Sequence, residues 1–158
     1  MQEQGLLVHR GAMVMIAGTA LFLLYAIAFF FRAFAGGGFE IGVPTLNGVT
    51  PEQLDELNPA IMAYITHLHV AIAGFIASTA IAVIALVWHG VRAGERWALG
   101  AAVLAPVVGL AVALPMHYMG MFQLDWVAHL GPVYVGTLIF VIGAGMVLVA
   151  WTRNANAA

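Results

Sequence analysis

The sequence predicts an all-α protein, a bundle of four transmembrane helices, and three observations support this fold class. Of the 158 residues, 63% are hydrophobic and only 8% are charged, whereas a soluble domain carries about a quarter charged residues. The apolar residues are collected in four long segments. Each tryptophan falls at the end of a segment, where indole rings favour the membrane interface: Trp88, Trp97, Trp126 and Trp151.

The four segments cover residues 11–34, 59–88, 97–116 and 127–151. Each has roughly the 20 residues that a helix needs to cross about 30 Å of hydrocarbon. Because the backbone must satisfy its own hydrogen bonds in lipid, these segments are predicted to be helices. We expect residues 1–158 to form a single domain with the lipid bilayer as its main partner.

Composition also excludes several classes of function. The chain has no cysteine, which excludes disulfides, thiolate ligands and iron–sulfur clusters. Its five basic residues are all arginines and none is clustered, so nucleic-acid binding has no support.

The arginines predict the orientation of the bundle. Arg10, Arg92, Arg96 and Arg153 fall on one side of the membrane, and only Arg32 falls on the other. Cytoplasmic connections carry the excess of basic residues. We therefore expect both termini in the cytoplasm, in a protein of the prokaryotic cytoplasmic membrane.

The long first connection contains the signature of a short helix. Thr50 suits an N-cap and Pro51 suits the first helical position. Leu54 and Leu57 give this helix one apolar edge. The sequence therefore predicts a short amphipathic helix in the first external loop, on the outer membrane surface.

Small residues recur at four-residue intervals in segment three. Such rows let membrane helices approach closely, and they are expected to line the interior of the bundle, either for packing or around a flat cofactor. The row consists of Ala101, Ala105, Gly109 and Ala113. Together with Gly18 and Gly74, it is also a candidate contact in a homo-oligomer or in a larger membrane complex.

Three histidines on different segments are predicted to share one membrane level. Counted from the inner ends of their segments, His69, His117 and His129 lie roughly 28 to 33 Å from the inner boundary. His67 is one step further out, and it points about 200° away from His69 on a helix. We expect His69 to face inward. Ionisable groups at membrane depth mark a functional site.

The first hypothesis for this site is a haem b held by His69 and His129, in a small cytochrome that exchanges electrons with a quinone. His117 would line the edge of the site or replace one ligand. Asp125 would be a hydrogen-bond acceptor that fixes an imidazole tautomer. A propionate or quinone oxygen would accept hydrogen bonds from tyrosines: Tyr64, Tyr118 and Tyr134.

The second hypothesis is copper. The stretch from Met116 to Met121 offers thioethers beside an imidazole, and such soft ligands select Cu(I). Its members are Met116, His117, Met119 and Met121. Asp125 and His129, four residues apart, are candidate ligands of a zinc ion, although no HExxH pattern is present, and His67 completes the set of candidate metal ligands. A third hypothesis needs no cofactor and makes the protein an accessory subunit or a small-molecule binder. The sequence leaves open whether the protein is an enzyme.

Two stretches carry a family resemblance. THLHVAIAGFIAS, residues 66–78, resembles the histidine-bearing helix start of small four-helix bacterial membrane proteins related to subunit I of haem–copper oxidases. The resemblance implies that His67 or His69 is a haem ligand, although Val70 stands where that pattern prefers leucine. It does not imply oxygen reduction, since the copper-site histidines are missing. GERWALG, residues 94–100, is similar to the inner loop of DoxX-like four-helix proteins.

Overall fold

A computed structural model describes residues 2–35, 38–120 and 123–155. The helices of the described residues are α1 (Gln2–Phe34), α2 (Pro51–Leu57), α3 (Pro59–Ala85), α4 (Arg96–His117), α5 (Trp126–His129) and α6 (Gly131–Ala155). A π-helical turn, Leu86–Gly90, and a 3-10 turn, Val91–Ala93, extend α3.

Four of these helical stretches are long and apolar enough to cross a membrane: Gly5–Phe34, Pro59–Ala93, Arg96–His117 and Gly131–Arg153. The protein is therefore an all-α integral membrane protein, and the prediction of four transmembrane helices is confirmed. Segment four contains two helices, since α5 ends beside Leu130 and α6 begins at Gly131.

The short helix α2 forms where its capping signals predict it. The Thr50 hydroxyl accepts a hydrogen bond from the Gln53 N–H at 3.3 Å, and the Gln53 side chain accepts one from the Thr50 N–H at 2.9 Å. This reciprocal capping box satisfies two N–H groups that the first helical turn would leave unpaired. Leu57 is 75% exposed and Leu54 is half-buried, so the described residues cover the apolar edge of α2 only in part.

Glycines bring α1 and α6 into backbone contact. A Cβ atom on Gly18 would lie 2.6 Å from the Phe140 nitrogen, and one on Gly143 would lie 2.5 Å from the Met15 nitrogen. A Cβ atom on Gly11 would lie 2.8 Å from the Gly143 carbonyl oxygen, and one on Gly136 would lie 3.2 Å from the Gly18 carbonyl oxygen. Glycines spaced seven residues apart on each helix thus form one seam, which we call the α1–α6 glycine seam. Gly18, a candidate contact in an oligomer, therefore lies in a contact within one chain.

The hydrophobic core lies at one end of the bundle, where α1 begins and α3 ends. We call this the lower end, and the opposite one the upper end. Eleven buried residues of four helices and the turns after α3 form this core: Ala12, Met15, Val83, Val87, Val91, Ala98, Leu99, Ala102, Phe140, Ala144 and Val147. The helix α4 is therefore held at the lower end by its first two turns.

Above Ala102, α4 diverges from the other helices, and it approaches them again at His117. Ala105, Gly109 and Ala113 are exposed, and a Cβ atom on Gly109 would meet nothing within 4 Å. The prediction that this small-residue row lines the bundle interior is therefore wrong. Its residues share a helix face with Ala98, but the face is covered only where α4 touches the core.

Candidate functional site

The first connection folds over the upper end of the bundle and holds Glu40 there. Phe39 and Val43 are buried on either side of it and anchor the segment. Gly42 adopts a left-handed conformation with φ of 80°, which glycine reaches without steric cost. Its carbonyl accepts a hydrogen bond from the Asp125 N–H at 2.8 Å, so the first and third connections are joined beside the site.

His129 is held in one tautomer at the end of α5. The Asp125 carboxylate caps this helix by accepting hydrogen bonds from the Val127 and Ala128 N–H groups at 3.0 and 3.1 Å. The His129 ring is almost completely buried, and its Nδ1 lies 2.6 Å from the Ile41 carbonyl oxygen. Because a carbonyl can only accept, Nδ1 carries the hydrogen, and Nε2 of the neutral ring presents a lone pair.

His117 has the same arrangement at the end of α4. Its Nδ1 donates to the Ala113 carbonyl oxygen at 3.0 Å, which again leaves a lone pair on Nε2 of the neutral ring. This Nε2 atom lies 2.9 Å from Nε2 of His129. Two neutral imidazoles in these tautomers have no hydrogen between them, so the contact requires a shared proton or a metal ion.

The Glu40 carboxylate adds a third hydrogen-bond acceptor beside the two imidazoles. Its Oε2 lies 3.3 Å from Nε2 of His129, and the ligand atoms of Glu40, His117 and His129 all lie within 4.8 Å of one another. Ligands bound to one ion at about 2.1 Å lie roughly 3.0 to 3.4 Å apart when they subtend right or tetrahedral angles. The distances of 2.9 Å from Nε2 of His129 to Nε2 of His117 and of 3.3 Å to Oε2 of Glu40 are close to that range.

His69 approaches Glu40 from the opposite side. Its Nε2 lies 4.0 Å from Oε1 of Glu40, and its ring packs against Phe29 with the centroids 5.1 Å apart. The inward orientation expected of His69 is confirmed, since His69, Ala73 and Ala80 are buried on one face of α3. The carboxylate of Glu40 therefore lies between His69 and His129, with one oxygen toward each.

The other predicted site residues lie outside this group. His67, Tyr64, Met116 and Met119 are exposed, and Met121 lies outside the described residues. The carboxylate of Asp125 caps α5, and the Ile41 carbonyl fixes the His129 tautomer instead. The hydroxyls of Tyr118 and Tyr134 contact each other, and the Tyr118 ring lies 5.3 Å from that of Trp126.

Glu40 is the site residue that sequence reasoning missed. It lies in a connection, where no helical periodicity predicts which way a side chain points. One signal is present in the sequence: Glu40 is the single charged residue between the glycines that follow α1 and the start of α2. A lone carboxylate flanked by the apolar residues Phe39 and Ile41 indicates a partner inside the protein.

An open cleft lies beside the histidines. It has a volume of about 550 Å³, and His117, Tyr118, Gln123 and Trp126 are among the residues that line it. We call Glu40, His117 and His129 the acceptor group. Because His117 also lines the cleft, a molecule in the cleft reaches the edge of the site.

The fold and the site together define an integral membrane helix bundle with a His/Glu acceptor group at its upper end. No family model, curated protein or solved structure matches the chain, so any functional assignment rests on the geometry of the site itself.

Proposed function

We propose that this protein binds a divalent transition metal ion at the upper end of its membrane bundle, through Glu40, His117 and His129. The observation that carries the proposal is the convergence of three acceptors. Backbone carbonyls hold the hydrogens of both imidazoles on Nδ1, so two lone pairs and a carboxylate meet within 4.8 Å. Backbone acceptors that fix ligand tautomers in this way are the usual outer partners of metal-bound histidines.

The donor set favours particular metals. Two imidazoles and one carboxylate suit zinc and non-haem iron(II), and three protein ligands leave coordination positions for water or substrate. The cleft beside His117 gives access to such positions. His69, on the other oxygen of Glu40, orients the carboxylate. We therefore infer a metal centre that exchanges small ligands with the cleft.

The haem b hypothesis, with electron transfer to a quinone, stays a prediction. The described side chains do not fit a haem between His69 and His129, because the Glu40 carboxylate lies there. Gly136, seven residues after His129, packs against Gly18 and Phe22 of α1. Copper binding by the methionine loop, residues 116–121, also stays a prediction. The thioethers of Met116 and Met119 are exposed, and they are not part of the group formed by Glu40, His117 and His129.

Metal titration of the purified, metal-stripped protein tests the proposal. We expect one Zn²⁺ or Co²⁺ per chain. His117→Ala should weaken binding by more than about 100-fold, because the loss of a ligand costs more than the loss of an outer partner. His67→Ala is the matched control, since His67 is exposed on α3, and it should bind like the wild type.

The same sample distinguishes the alternatives by its visible spectrum. Equal metal binding by wild type and His117→Ala would overturn the proposal. A sharp reduced-minus-oxidised α band that His69→Ala abolishes would establish the haem instead. Cu(I) binding that only Met119→Ala removes would place the site in the methionine loop.

The orientation of the bundle is a separate prediction. From the arginine distribution, we propose that both termini are cytoplasmic and that the metal site opens to the outer face. Reporter fusions after Arg96 and after Arg153 should both report a cytoplasmic location, and a fusion after Gly48 should report an external one. The reverse pattern would place the site on the cytoplasmic face.

A further inference from the structure

A second opening lies at the lower end of the bundle, far along α4 from the histidines. At the level of the first two turns of α4, this helix and α6 leave a groove of about 520 Å³ between them. We call it the α4–α6 groove. Its lining includes Arg96, Gly100 and Val103 from α4 and Leu148, Trp151 and Thr152 from α6. Among the described residues none covers Gly100, where a Cβ atom would meet nothing within 4 Å.

The groove is apolar inside and carries a positive charge at its mouth. Val103 and Leu148 are among its apolar lining residues, whereas Arg96 is exposed at the first position of α4. Among the described side chains, the ion pairs join Glu40 to histidines, so Arg96 has no carboxylate partner. Arg92 differs, because its guanidinium lies 4.0 Å above the Trp88 ring.

We propose that the α4–α6 groove binds one anionic phospholipid, with an acyl chain between the helices and the phosphate paired with Arg96. Basic pockets between transmembrane helices bind anionic headgroups in this way, and charge complementarity selects this occupant. A helix from a second copy would cover the groove with apolar side chains and bury the charge of Arg96, which is costly. A phosphate neutralises that charge.

Native mass spectrometry tests the proposal with the full chain. The protein is released from nanodiscs that contain equal amounts of phosphatidylglycerol and phosphatidylcholine with identical acyl chains. We expect one phosphatidylglycerol to remain bound in preference to phosphatidylcholine. Arg96→Ala should reduce this preference about fivefold, which is the effect of one basic residue on an anionic headgroup. Gly100→Leu should remove the bound lipid, because its side chain fills the groove.

Two variants serve as matched controls. Arg10→Ala removes an exposed arginine of α1, and Gly109→Leu enlarges an exposed glycine of α4; neither residue lines the groove. Both should retain phosphatidylglycerol like the wild type. Equal retention of the two lipids, or loss of retention in Arg10→Ala to the same degree as in Arg96→Ala, would overturn the proposal. A lipid-free dimer that Gly100→Leu converts to monomers would identify a second copy as the occupant.

Discussion

Gly143→Ala should destabilise the protein by about 2 kcal/mol, and the double variant Gly18→Ala/Gly143→Ala should barely fold. A Cβ atom on Gly143 would lie 2.5 Å from the Met15 nitrogen and 2.6 Å from the Gly11 carbonyl oxygen. Both atoms belong to the backbone of α1, so no side-chain rotation relieves the clash. The helices must separate, and the contacts along the α1–α6 glycine seam are lost. Thermal unfolding in a mild detergent, followed by circular dichroism, measures the effect.

Gly145→Ala is the control for this prediction. It lies two residues further along α6, and a Cβ atom there would meet nothing within 4 Å. Alanine is a better helix former than glycine, so this variant should be as stable as the wild type or slightly more stable. If Gly143→Ala and Gly145→Ala unfold at the same temperature, α1 and α6 are not in backbone contact.

The fold class could be predicted because the membrane permits few solutions. Apolar segments of sufficient length must be helices, since a lipid environment leaves no partner for an unpaired backbone. The start of α2 could be predicted because its capping signals depend only on neighbouring residues. The helix begins at Pro51, with Thr50 as its N-cap. The course of α4 could not be predicted in this way. Small residues recur along the whole length of α4, but of these only Ala98 and Ala102 belong to the core.

The site could be predicted in part, because regular helices fix the depth of each residue in the membrane. Helical rise per residue converts a count of residues into depth, and this count brought His69, His117 and His129 to one level. Their contacts with Glu40 and with one another agree with that level. The position of the Glu40 carboxylate depends on the path of the first connection. Gly42 and the buried side chain of Phe39 determine this path through tertiary contacts. Such contacts have no periodicity in the sequence.

Glu40→Gln should abolish high-affinity metal binding and leave the metal-free protein at least as stable as the wild type. In the wild type, the Glu40 carboxylate lies 3.3 Å from Nε2 of His129, which presents a lone pair because the Ile41 carbonyl holds the ring hydrogen on Nδ1, and two acceptors that face each other destabilise the fold. Glutamine has nearly the same shape, and its amide N–H can donate to Nε2 of His129. The variant therefore supplies the missing donor and removes the charge that attracts the ion.

Thermal unfolding with and without Zn²⁺ separates the two effects. At a metal concentration 100 times the dissociation constant, the wild type should gain about 2.7 kcal/mol, and Glu40→Gln should gain almost nothing. Glu56→Gln removes an exposed charge of α2 and should keep the full metal-dependent gain. His129→Ala differs from Glu40→Gln, because it leaves a cavity and an unpaired Ile41 carbonyl and should lower stability even without metal. If Glu40→Gln keeps the metal-dependent gain, the carboxylate is not a ligand. If it loses stability without metal, Glu40 and His129 do not repel each other in the metal-free protein.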